Sequence, residues 1–517
     1  MRPIRKAGDA LFLRLEGWFN RTFGNHLNPF YHLGSLTFFF FWVVLVSGIY
    51  VFIFFETRVD HAFNSVEYMT HDQWWLAGIM RSLHRYASDA AVITIFLHMF
   101  REFFRDRYRG VRWFSWITGV PTLWLVVLLG ISGYWLVWDM LAQYIAVVTA
   151  EMIDWLPITL GSMALNFIGD QVSDRFFTLM AFLHLLGFPV ALVFLLWTHV
   201  SRISHIDFNP PKVLAWGSMV ALLVLSLVKP AVSHGPADLS LAPTVLQLDW
   251  FYLNIYPVSD ILGPAWAWGI PTGVTFFLMM LPWMPRKKPE PIAEVDLDYC
   301  NGCGQCGVDC PYGAVTMQPR SDGRKFLLEP TVSASLCTSC GICMGACTSS
   351  NPYRQSKGRL LTGIEMPHYS AEALRKEVTD KIAALSGKDR ILVVGCDFAA
   401  DPMPLETSEV AVVRLPCTAM LPPSFLDFSI RKGIDGVLVT GCRDGDCYFR
   451  FGNHITLDRI SGLREPRLFG RTDQERIDVF WAAQQESSQL TDRLAEFRQR
   501  LDKIKDKPKS PKNRKEA

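Results

Sequence analysis

Six long apolar stretches in the first 285 residues constrain this chain most, because each is long enough to cross a lipid bilayer. A span takes roughly 20 apolar residues, and in the bilayer a helix satisfies its own backbone hydrogen bonds. An amphipathic segment, DALFLRLEGWF, precedes them and predicts a helix on the membrane surface. The expected fold is a membrane α-helical bundle with spans at approximately 32–55, 76–104, 113–137, 174–200, 213–232 and 266–284.

The loops between these stretches alternate in charge. The segments RPIRK, REFFRDRYRGVR, SRISH and PRKK are basic, whereas the intervening loops carry mostly acidic residues. Lys and Arg collect on the cytoplasmic side of membrane proteins, so the basic ends are expected in the cytoplasm. Six spans then place both termini and all twelve cysteines in the cytoplasm, beneath the inner membrane of a prokaryote.

Four histidines lie in two of the apolar stretches as matched pairs. His84 and His98 are 14 residues apart on the second span, and His184 and His199 are 15 apart on the fourth. Both spans run outside to inside, so His84 can meet His184 near the outer face and His98 can meet His199 near the inner face. Each facing pair can supply both axial ligands of a haem iron, with the two irons about 20 Å apart. The alternative for any one of them is a structural histidine, and the matched spacing favours two haems.

Glycines with the same 14-residue spacing support these positions, because glycine lets a backbone approach a flat macrocycle closely. They form two pairs on the first and third spans, Gly34 with Gly48 and Gly119 with Gly133. Arg81 and Arg85 flank His84 near the outer interface, where guanidinium groups can pair with haem propionates.

The motifs MRSLHRY, ITIFLHMFR and WITGV…ISGYWLVWD resemble the cytochrome b of Rieske–cytochrome b complexes over about residues 10–205. The likeness is closest to the plant and cyanobacterial type, whose second histidine pair is likewise one residue wider than the first. The resemblance implies two b haems with a quinone site near each. It is also compatible with a homodimer, as in cytochrome b complexes.

Two positions depart from that family. LDWFY at 248–252 looks like the PEWY motif, whose glutamate handles a quinol proton, and Asp249 stands there with one methylene less. Asp249 is the candidate proton acceptor of an outer quinone site, with an ordinary interfacial aspartate as the alternative. His32 replaces a cysteine that tethers an extra haem in photosynthetic relatives, so no thioether-bound haem is expected. Asp89, inside the second span, is a candidate for a proton or quinone role or for a hydrogen bond to a neighbouring helix.

The first eight cysteines repeat one spacing twice. The pattern C-x2-C-x2-C-x3-C-P is that of bacterial two-cluster ferredoxins, in which the fourth cysteine of each run ligates the other cluster. Thr348 replaces the proline of the second run, and zinc sites are the alternative that the spacing disfavours. The expected ligands of the two [4Fe-4S] clusters are Cys300, Cys303, Cys306 and Cys347 for one, and Cys337, Cys340, Cys343 and Cys310 for the other.

The other four cysteines are Cys396, Cys417, Cys442 and Cys447. Three of them end short apolar runs, VVGC, RLPC and VTGC, which predict strands of a parallel sheet whose ends meet at one edge. RLPC and VLVTGCRDGDCYFRFGN resemble the delta subunit of methyl-viologen-reducing hydrogenase over about 388–485. The resemblance implies a [2Fe-2S] cluster on these four cysteines and electron exchange with a flavoprotein of the heterodisulfide reductase type. Structural zinc and unligated thiols are the alternatives.

We therefore expect an electron-transfer subunit of a quinone-linked oxidoreductase complex. Its sequence shows no GxGxxG fingerprint for flavin or nicotinamide, so that chemistry is expected on another polypeptide. The donor or acceptor is therefore expected to be a cytoplasmic flavoprotein linked to ferredoxin or NAD(P)H. No nucleic-acid partner is expected. The alternative is a membrane anchor and docking module without quinone chemistry. The expected domains are a di-haem four-helix bundle with the amphipathic helix at 1–205, two further membrane helices and a linker at 206–290, an α+β ferredoxin-like domain at 291–360, an α/β [2Fe-2S] domain at 385–490, and a basic helical or disordered tail at 491–517.

Overall fold

The computed structural model describes residues 2–157, 162–167, 173–202, 208–241, 245–284, 290–355, 358–470 and 472–505. Contacts divide the chain into two compact units. The first unit combines Met1–Asp9, His32–Arg202 and Ile206–Lys287. The second unit combines Ala10–Tyr31 with Lys288–Ala517.

The first unit is built from helices. Two five-residue π-helical turns interrupt its helical runs, one before α4 at Trp74–Gly78 and one between α7 and α8 at Leu183–Gly187. The helices, the first of which continues into the second unit, are α1 (Arg2–Phe23), α2 (Leu33–Phe54), α3 (Val59–His71), α4 (Ile79–Phe104), α5 (Trp113–Val137), α6 (Met140–Asp154), α7 (Asp174–Phe182), α8 (Phe188–Val200), α9 (Lys212–Val228), α10 (Ile255–Leu262) and α11 (Pro264–Met280).

Four helical segments are long and apolar enough to cross a membrane: Leu33–Phe54, Trp113–Val137, Phe177–Val200 and Pro264–Trp283. The 22 residues of α2 rise about 33 Å, slightly more than the hydrocarbon core of a bilayer. The other two expected spans are also helical, but α4 carries charged side chains along its length and α9 has only 17 residues. The chain is a multi-pass membrane protein, and the count of six spans stays a prediction for α4 and α9.

Side-by-side packing pairs the helices that carry glycines with those that carry histidines. Helix α2 lies along α4, and α5 lies along α8. Leu36, Phe40 and Val43 of α2 pack against Leu83 and Ala87 of α4 in one buried cluster. The first pair of helices is also tied by Thr37, whose hydroxyl bonds that of Thr94 at 2.8 Å. The glycine-bearing helices α2 and α5 therefore pack directly on α4 and α8, which carry His84, His98 and His199.

The first part of the second unit holds two small antiparallel sheets and two short helices. Strand β1 (Glu294–Val295) pairs with β4 (Ile364–Glu365), and β2 (Val315–Pro319) pairs with β3 (Leu328–Val332). Each short helix follows a glycine with positive φ, Gly304 at 78° and Gly341 at 74°. Such backbone favours glycine, so these residues let the chain turn tightly between cysteines. The helices are α12 (Gln305–Val308) and α13 (Ile342–Ala346).

The second part of the unit is a parallel four-stranded sheet in the order β6-β5-β7-β8. Three of its strands, β5, β6 and β7, are the predicted apolar runs, and the fourth strand, β8, was not predicted. The strands are β5 (Ile391–Cys396), β6 (Val410–Leu415), β7 (Gly436–Gly441) and β8 (Ile477–Trp481). The helices around it are α14 (Ala371–Ala383), α15 (Ser424–Arg431), α16 (Gly452–Ile460) and α17 (Ser487–Lys505).

The C-terminal boundary differs from the sequence expectation. The segment predicted as a basic helical or disordered tail from residue 491 begins inside α17, a helix that packs on the sheet. Its buried side chains, Leu490, Leu494, Phe497 and Leu501, follow the spacing of one helix face. The many charged residues between them hid this stripe in the sequence. Residues 506–517 lie outside the described residues.

The N-terminal boundary also differs, because Ala10–Tyr31 belongs to the second unit. Phe12 is buried, and Asn28 donates hydrogen bonds to the Glu16 carbonyl and to the Asn20 side chain. The Arg443 guanidinium donates to the Asn25 side-chain oxygen. Other large apolar side chains of this segment are exposed, including Leu11, Trp18 and Phe23. Its location on the membrane surface stays a prediction.

Candidate haem and iron–sulfur sites

The outer histidine pair has the spacing of two axial ligands. His84 lies on α4, and His184 lies in the π-helical turn between α7 and α8. Their ring centroids are 6.2 Å apart, with an angle of 66° between the ring planes. Two imidazoles that bind one metal from opposite sides at about 2 Å have ring centres about 6 Å apart. The two rings therefore fit a single iron between them.

Hydrogen bonds orient both rings for this role. His84 Nδ1 lies 2.9 Å from the Val44 carbonyl and 3.4 Å from the Ser47 hydroxyl. His184 Nδ1 lies 2.9 Å from the Ser132 hydroxyl. A proton on Nδ1 serves these acceptors and leaves the lone pair of Nε2 for a metal. The neighbouring helices thus select the tautomer that an axial ligand needs.

The inner pair is His98 on α4 and His199 on α8. The two side chains are close enough to interact electrostatically. His199 Nδ1 lies 3.3 Å from the Thr118 hydroxyl, and the His199 ring also forms a hydrogen bond with the Ser115 backbone. His199 therefore has the same kinds of partner as His84, namely a backbone group and a hydroxyl three residues later.

Three of the four predicted glycines lie directly against histidine rings. An added Cβ would stand 2.8 Å from His84 Cε1 at Gly48, and 3.0 Å from His184 Cε1 at Gly133. At Gly119 it would stand 3.2 Å from His199 Cε1. Gly34 differs, since an added Cβ there meets no atom within 4 Å.

Sequence reasoning missed three hydroxyl side chains at these sites. Ser47, Thr118 and Ser132 are the partners of the histidine Nδ1 atoms, and each directly precedes one of the glycines. A Ser/Thr-Gly dipeptide at three of the four spaced glycine positions is a signal in the sequence that would have identified them.

Arg81 and Arg85 have protein partners beside the outer pair. Arg85 donates to Asp89 Oδ1 and to Asp249 Oδ2, each at 2.5 Å. Arg81 donates to the Thr70 hydroxyl and, at 2.8 Å, to that of Ser233. Both guanidinium groups thus donate hydrogen bonds to side chains of this chain. Their pairing with haem propionates stays a prediction.

Asp249 is a fully hydrogen-bonded, buried carboxylate. Its side chain has 0% exposure. The backbone amides of Phe251 and Tyr252 donate to Oδ1 at 2.7 and 2.5 Å, and the Tyr134 hydroxyl donates to Oδ2 at 3.0 Å, beside Arg85. Accepting a quinol proton would require one of these donors to leave.

The second departure from the family, His32, lies at the start of α2.

The first predicted [4Fe-4S] ligand set lines one cavity. That cavity contains about 300 Å³ of empty space, part of it open to solvent. Cys300, Cys303 and Cys306 reach it from the first cysteine run, and Cys347 reaches it from the end of the second run. The structure therefore brings together the four thiols that the crossover pattern predicts.

The second set, Cys337, Cys340, Cys343 and Cys310, also converges. Cys343 interacts electrostatically with the other three thiols. Burial raises the pKa of Cys340 to about 12 and raises that of Cys343 well above its usual value. Such thiols keep their protons at neutral pH unless a metal replaces them, so cluster binding would release protons.

The last four cysteines gather at the carboxyl edge of the parallel sheet. Cys396 ends β5, Cys442 follows β7, and their sulfurs lie 3.6 Å apart. The side chains of Cys447 and Cys442 form a hydrogen bond, and Cys417 interacts electrostatically with both. Among the described residues, no three His, Cys, Asp or Glu side chains form a site for a single metal ion.

Gly452, at the start of α16, stands against this group of thiols. An added Cβ would collide with Cys417 Sγ and would stand 3.6 Å from Cys447 Sγ. Backbone amides also point at the sulfurs, for example Phe398 N at 3.4 Å from Cys396 Sγ. Amide donors and a close backbone suit thiolates that carry a cluster.

Models of three protein families match consecutive parts of the chain. Cytochrome b/b6/petB matches residues 19–229. The 4Fe-4S dicluster domain matches residues 299–351, and the delta subunit of methyl-viologen-reducing hydrogenase matches residues 393–505. The last match ends with α17, in agreement with the packing of that helix.

Similar proteins cover the N-terminal part of the chain. The cytochrome b6 of Heliobacterium mobile is 30% identical over 36% of this chain and 87% of the relative. The cytochrome b subunit of menaquinol:cytochrome c reductase from Geobacillus thermodenitrificans is 28% identical over the same shares. A solved chain of a hyperthermophilic respiratory Complex III is 19% identical, covers 50% of this chain and 75% of its own, and has a TM-score of 0.41.

Proposed function

This chain belongs to the cytochrome b/b6 family, and we propose that it is the membrane subunit of a quinone-linked oxidoreductase complex. In this proposal it carries electrons between a cytoplasmic flavoprotein and membrane quinone. The flavoprotein is linked to ferredoxin or NAD(P)H. The family of the C-terminal part supports a soluble redox partner, and the family of the N-terminal part supports the membrane role.

The observation that carries this proposal is the geometry of His84 and His184. The rings are spaced for one iron, and each Nδ1 faces a hydrogen-bond acceptor on a neighbouring helix. A merely structural histidine pair needs neither the spacing nor the free Nε2. In the proposal, His98 and His199 hold the second b haem.

The cysteines complete the path on the cytoplasmic side. Cys396, Cys417, Cys442 and Cys447 would hold a [2Fe-2S] cluster, and the two crossed sets would hold two [4Fe-4S] clusters. When bound, these groups and the haems supply one-electron carriers. Basic loops support this orientation, because Lys and Arg collect on the cytoplasmic side and the basic segment PRKK leads into the cysteine-bearing unit.

An anaerobic redox titration of the purified full chain tests the proposal. We expect two b-haem transitions, both reducible by quinol. His84→Ala should remove one of them and leave the iron and sulfide content of the clusters unchanged. His71→Ala is the matched control, because that side chain is 65% exposed on α3. Two unchanged haems in the His84 variant, or haems that quinol never reduces, would contradict the proposal.

The hydrogen-bond saturation of Asp249 favours a second candidate function. A carboxylate that already accepts from Arg85, Tyr134 and two amides is not poised to take a quinol proton. The chain would then be a membrane anchor and docking module that exchanges electrons without quinone chemistry of its own. Haem reduction by quinol in the native chain decides between the two functions.

A further inference from the structure

The site of the last four cysteines lies next to one of the two [4Fe-4S] sites. Cys417 interacts electrostatically with Cys340, a ligand of the second set. Both belong to one buried apolar cluster with Ile342, Ala419 and Phe449. No such cluster contains a cysteine of the first [4Fe-4S] set together with one of the last four, among the described residues.

The backbones around these two cysteines are in direct contact. An added Cβ at Gly341 would stand 2.6 Å from Met420 Cγ. At Gly345 it would collide with the Ala419 carbonyl oxygen. The short helix α13, which carries Cys343, therefore packs on the turn that follows Cys417. Glycine is required at both positions to bring the turn this close.

One guanidinium group joins the two sites. Arg459 Nη1 donates to the Ala419 carbonyl at 2.7 Å, two residues after Cys417. Its Nη2 donates to Asp309 Oδ2 at 2.5 Å, next to Cys310, and to the Ile342 carbonyl at 3.3 Å, next to Cys343. The three bonds thus reach the neighbours of ligands on both sides.

This contact is buried on both sides. The Arg459 and Asp309 side chains are 1% and 0% exposed. A buried pair of this kind is weak support for stability, because the desolvation of both charges offsets their attraction. It does fix geometry, since a guanidinium fork bonds several acceptors in one plane.

We propose that Arg459 is a positioning residue that holds the Cys396/Cys417/Cys442/Cys447 site beside the second [4Fe-4S] site, so that electrons pass directly between these two. The inference rests on the proposed function in that both sites hold clusters. It also specifies the order of the electron path, counted from the site of the last four cysteines. The second [4Fe-4S] site comes next, with Cys310, Cys337, Cys340 and Cys343. The first [4Fe-4S] site follows it, with Cys300, Cys303, Cys306 and Cys347.

Arg464 provides a matched control. It donates to the other oxygen of Asp309 at 2.6 Å, but its side chain is 32% exposed. The hydrogen bonds described for Arg464 do not include the Ile342 or Ala419 carbonyls, to which Arg459 donates. Replacing Arg464 removes one hydrogen bond to Asp309. It leaves in place the bonds of Arg459 to Asp309 and to the Ala419 carbonyl in the turn after Cys417.

The test is electron paramagnetic resonance of the reduced full chain. A paramagnetic neighbour speeds the spin relaxation of the [2Fe-2S] signal, and this effect falls steeply with distance. We expect fast relaxation in the native chain and in Arg464→Gln. Arg459→Gln should slow it severalfold, and Arg459→Lys, which keeps one donor group, should restore part of the effect.

A second pair of variants identifies the neighbour even if Arg459→Gln does not fold. Cys340→Ser, in the second set, should slow the relaxation of the [2Fe-2S] signal, whereas Cys303→Ser, in the first set, should retain the fast relaxation. The inference is overturned if Arg459→Gln relaxes like the native chain, or if Cys303→Ser gives the stronger effect. A chain without any [2Fe-2S] signal would instead overturn the proposed cofactor content, and the inference with it.

Discussion

Three Ser/Thr-Gly dipeptides of the membrane unit, Ser47-Gly48, Thr118-Gly119 and Ser132-Gly133, each combine two functions at one histidine. The hydroxyl stands by Nδ1, and the glycine that follows lets the helix backbone approach the ring. Alanine at such a glycine forces the ring to move, because few real side chains approach as closely as 3.0 Å. The dipeptides thus constrain both the rotation and the position of the ligand.

Replacing Gly48 by Ala should therefore reduce haem binding at the outer pair. The built Cβ lies 2.8 Å from His84 Cε1, while alanine by itself favours a helix by about 1 kcal/mol over glycine. We expect a loss or shift of one haem transition in a redox titration with the helix content retained. Gly217→Ala, on α9 with no atom within 4 Å, should leave both haems unchanged. Equal titrations for the two variants would contradict a role for Gly48.

Gly452→Ala should act in the same way on the last four cysteines. Its side chain would occupy the space of Cys417 Sγ. We expect loss of the [2Fe-2S] spectrum with the [4Fe-4S] signals retained. Gly470→Ala, where an added Cβ meets no atom within 4 Å, is the control. A native [2Fe-2S] spectrum in the Gly452 variant would show that this close approach is not needed.

The sequence identifies candidate ligands but not the residues that contact them. Histidines and cysteines stand out as candidates because metal chemistry demands those residue types at fixed spacing. Asp249 illustrates the limit. Its bond to Arg85 joins residues 164 positions apart, so only the folded chain shows that this carboxylate is saturated. The same holds for Arg459 and Asp309, which are 150 positions apart.

At the scale of elements, apolar composition predicted helices at the expected spans, four of them long and apolar enough to cross a membrane, but it did not predict their irregularities. The π-helical turn at Leu183–Gly187 carries His184, and π-helical turns are frequent at functional sites. A π-helical turn shifts the backbone hydrogen bond of the helix by one residue. The sequence around this turn is apolar apart from His184, so the pattern of apolar residues does not show where the shift occurs. Helix α17 was expected only as part of a basic helical or disordered tail, and its packing on the sheet was missed because charged residues surround its apolar stripe.

Helix α17 should be required for the stability of the parallel sheet. Leu490 is 1% exposed and packs with residues of β5, β6 and β7. Leu490→Ala should destabilise this part of the unit by about 2–5 kcal/mol, as buried Leu→Ala changes do. Hydrogen exchange of the β5 and β7 amides should report the loss. Leu463→Ala, at 82% exposure, should leave the exchange unchanged. Unchanged exchange in the Leu490 variant would mean that α17 is dispensable.

At the scale of the whole molecule, the two histidine levels imply that the reaction responds to membrane potential. Each electron that crosses the full bilayer changes its free energy by about 2.3 kcal/mol per 100 mV. In the proposed orientation, a cytoplasmic donor that reduces quinone at the outer face sends electrons towards the positive side. An inside-negative potential therefore favours this direction.

Native chain in sealed proteoliposomes should show this dependence. We impose a potential of about 100 mV that is negative on the side of the cysteine-bearing unit. Adding an uncoupler should then lower the equilibrium ratio of reduced to oxidised quinone by up to about 50-fold per electron, the factor that corresponds to 2.3 kcal/mol. His84→Ala interrupts the path at the outer pair, so its residual reaction at the inner face should not respond to the uncoupler. If the uncoupler leaves both the rate and the equilibrium of the native chain unchanged, electrons do not cross the membrane through the two histidine pairs. In that case the membrane unit acts as an anchor whose haems exchange electrons on one side only.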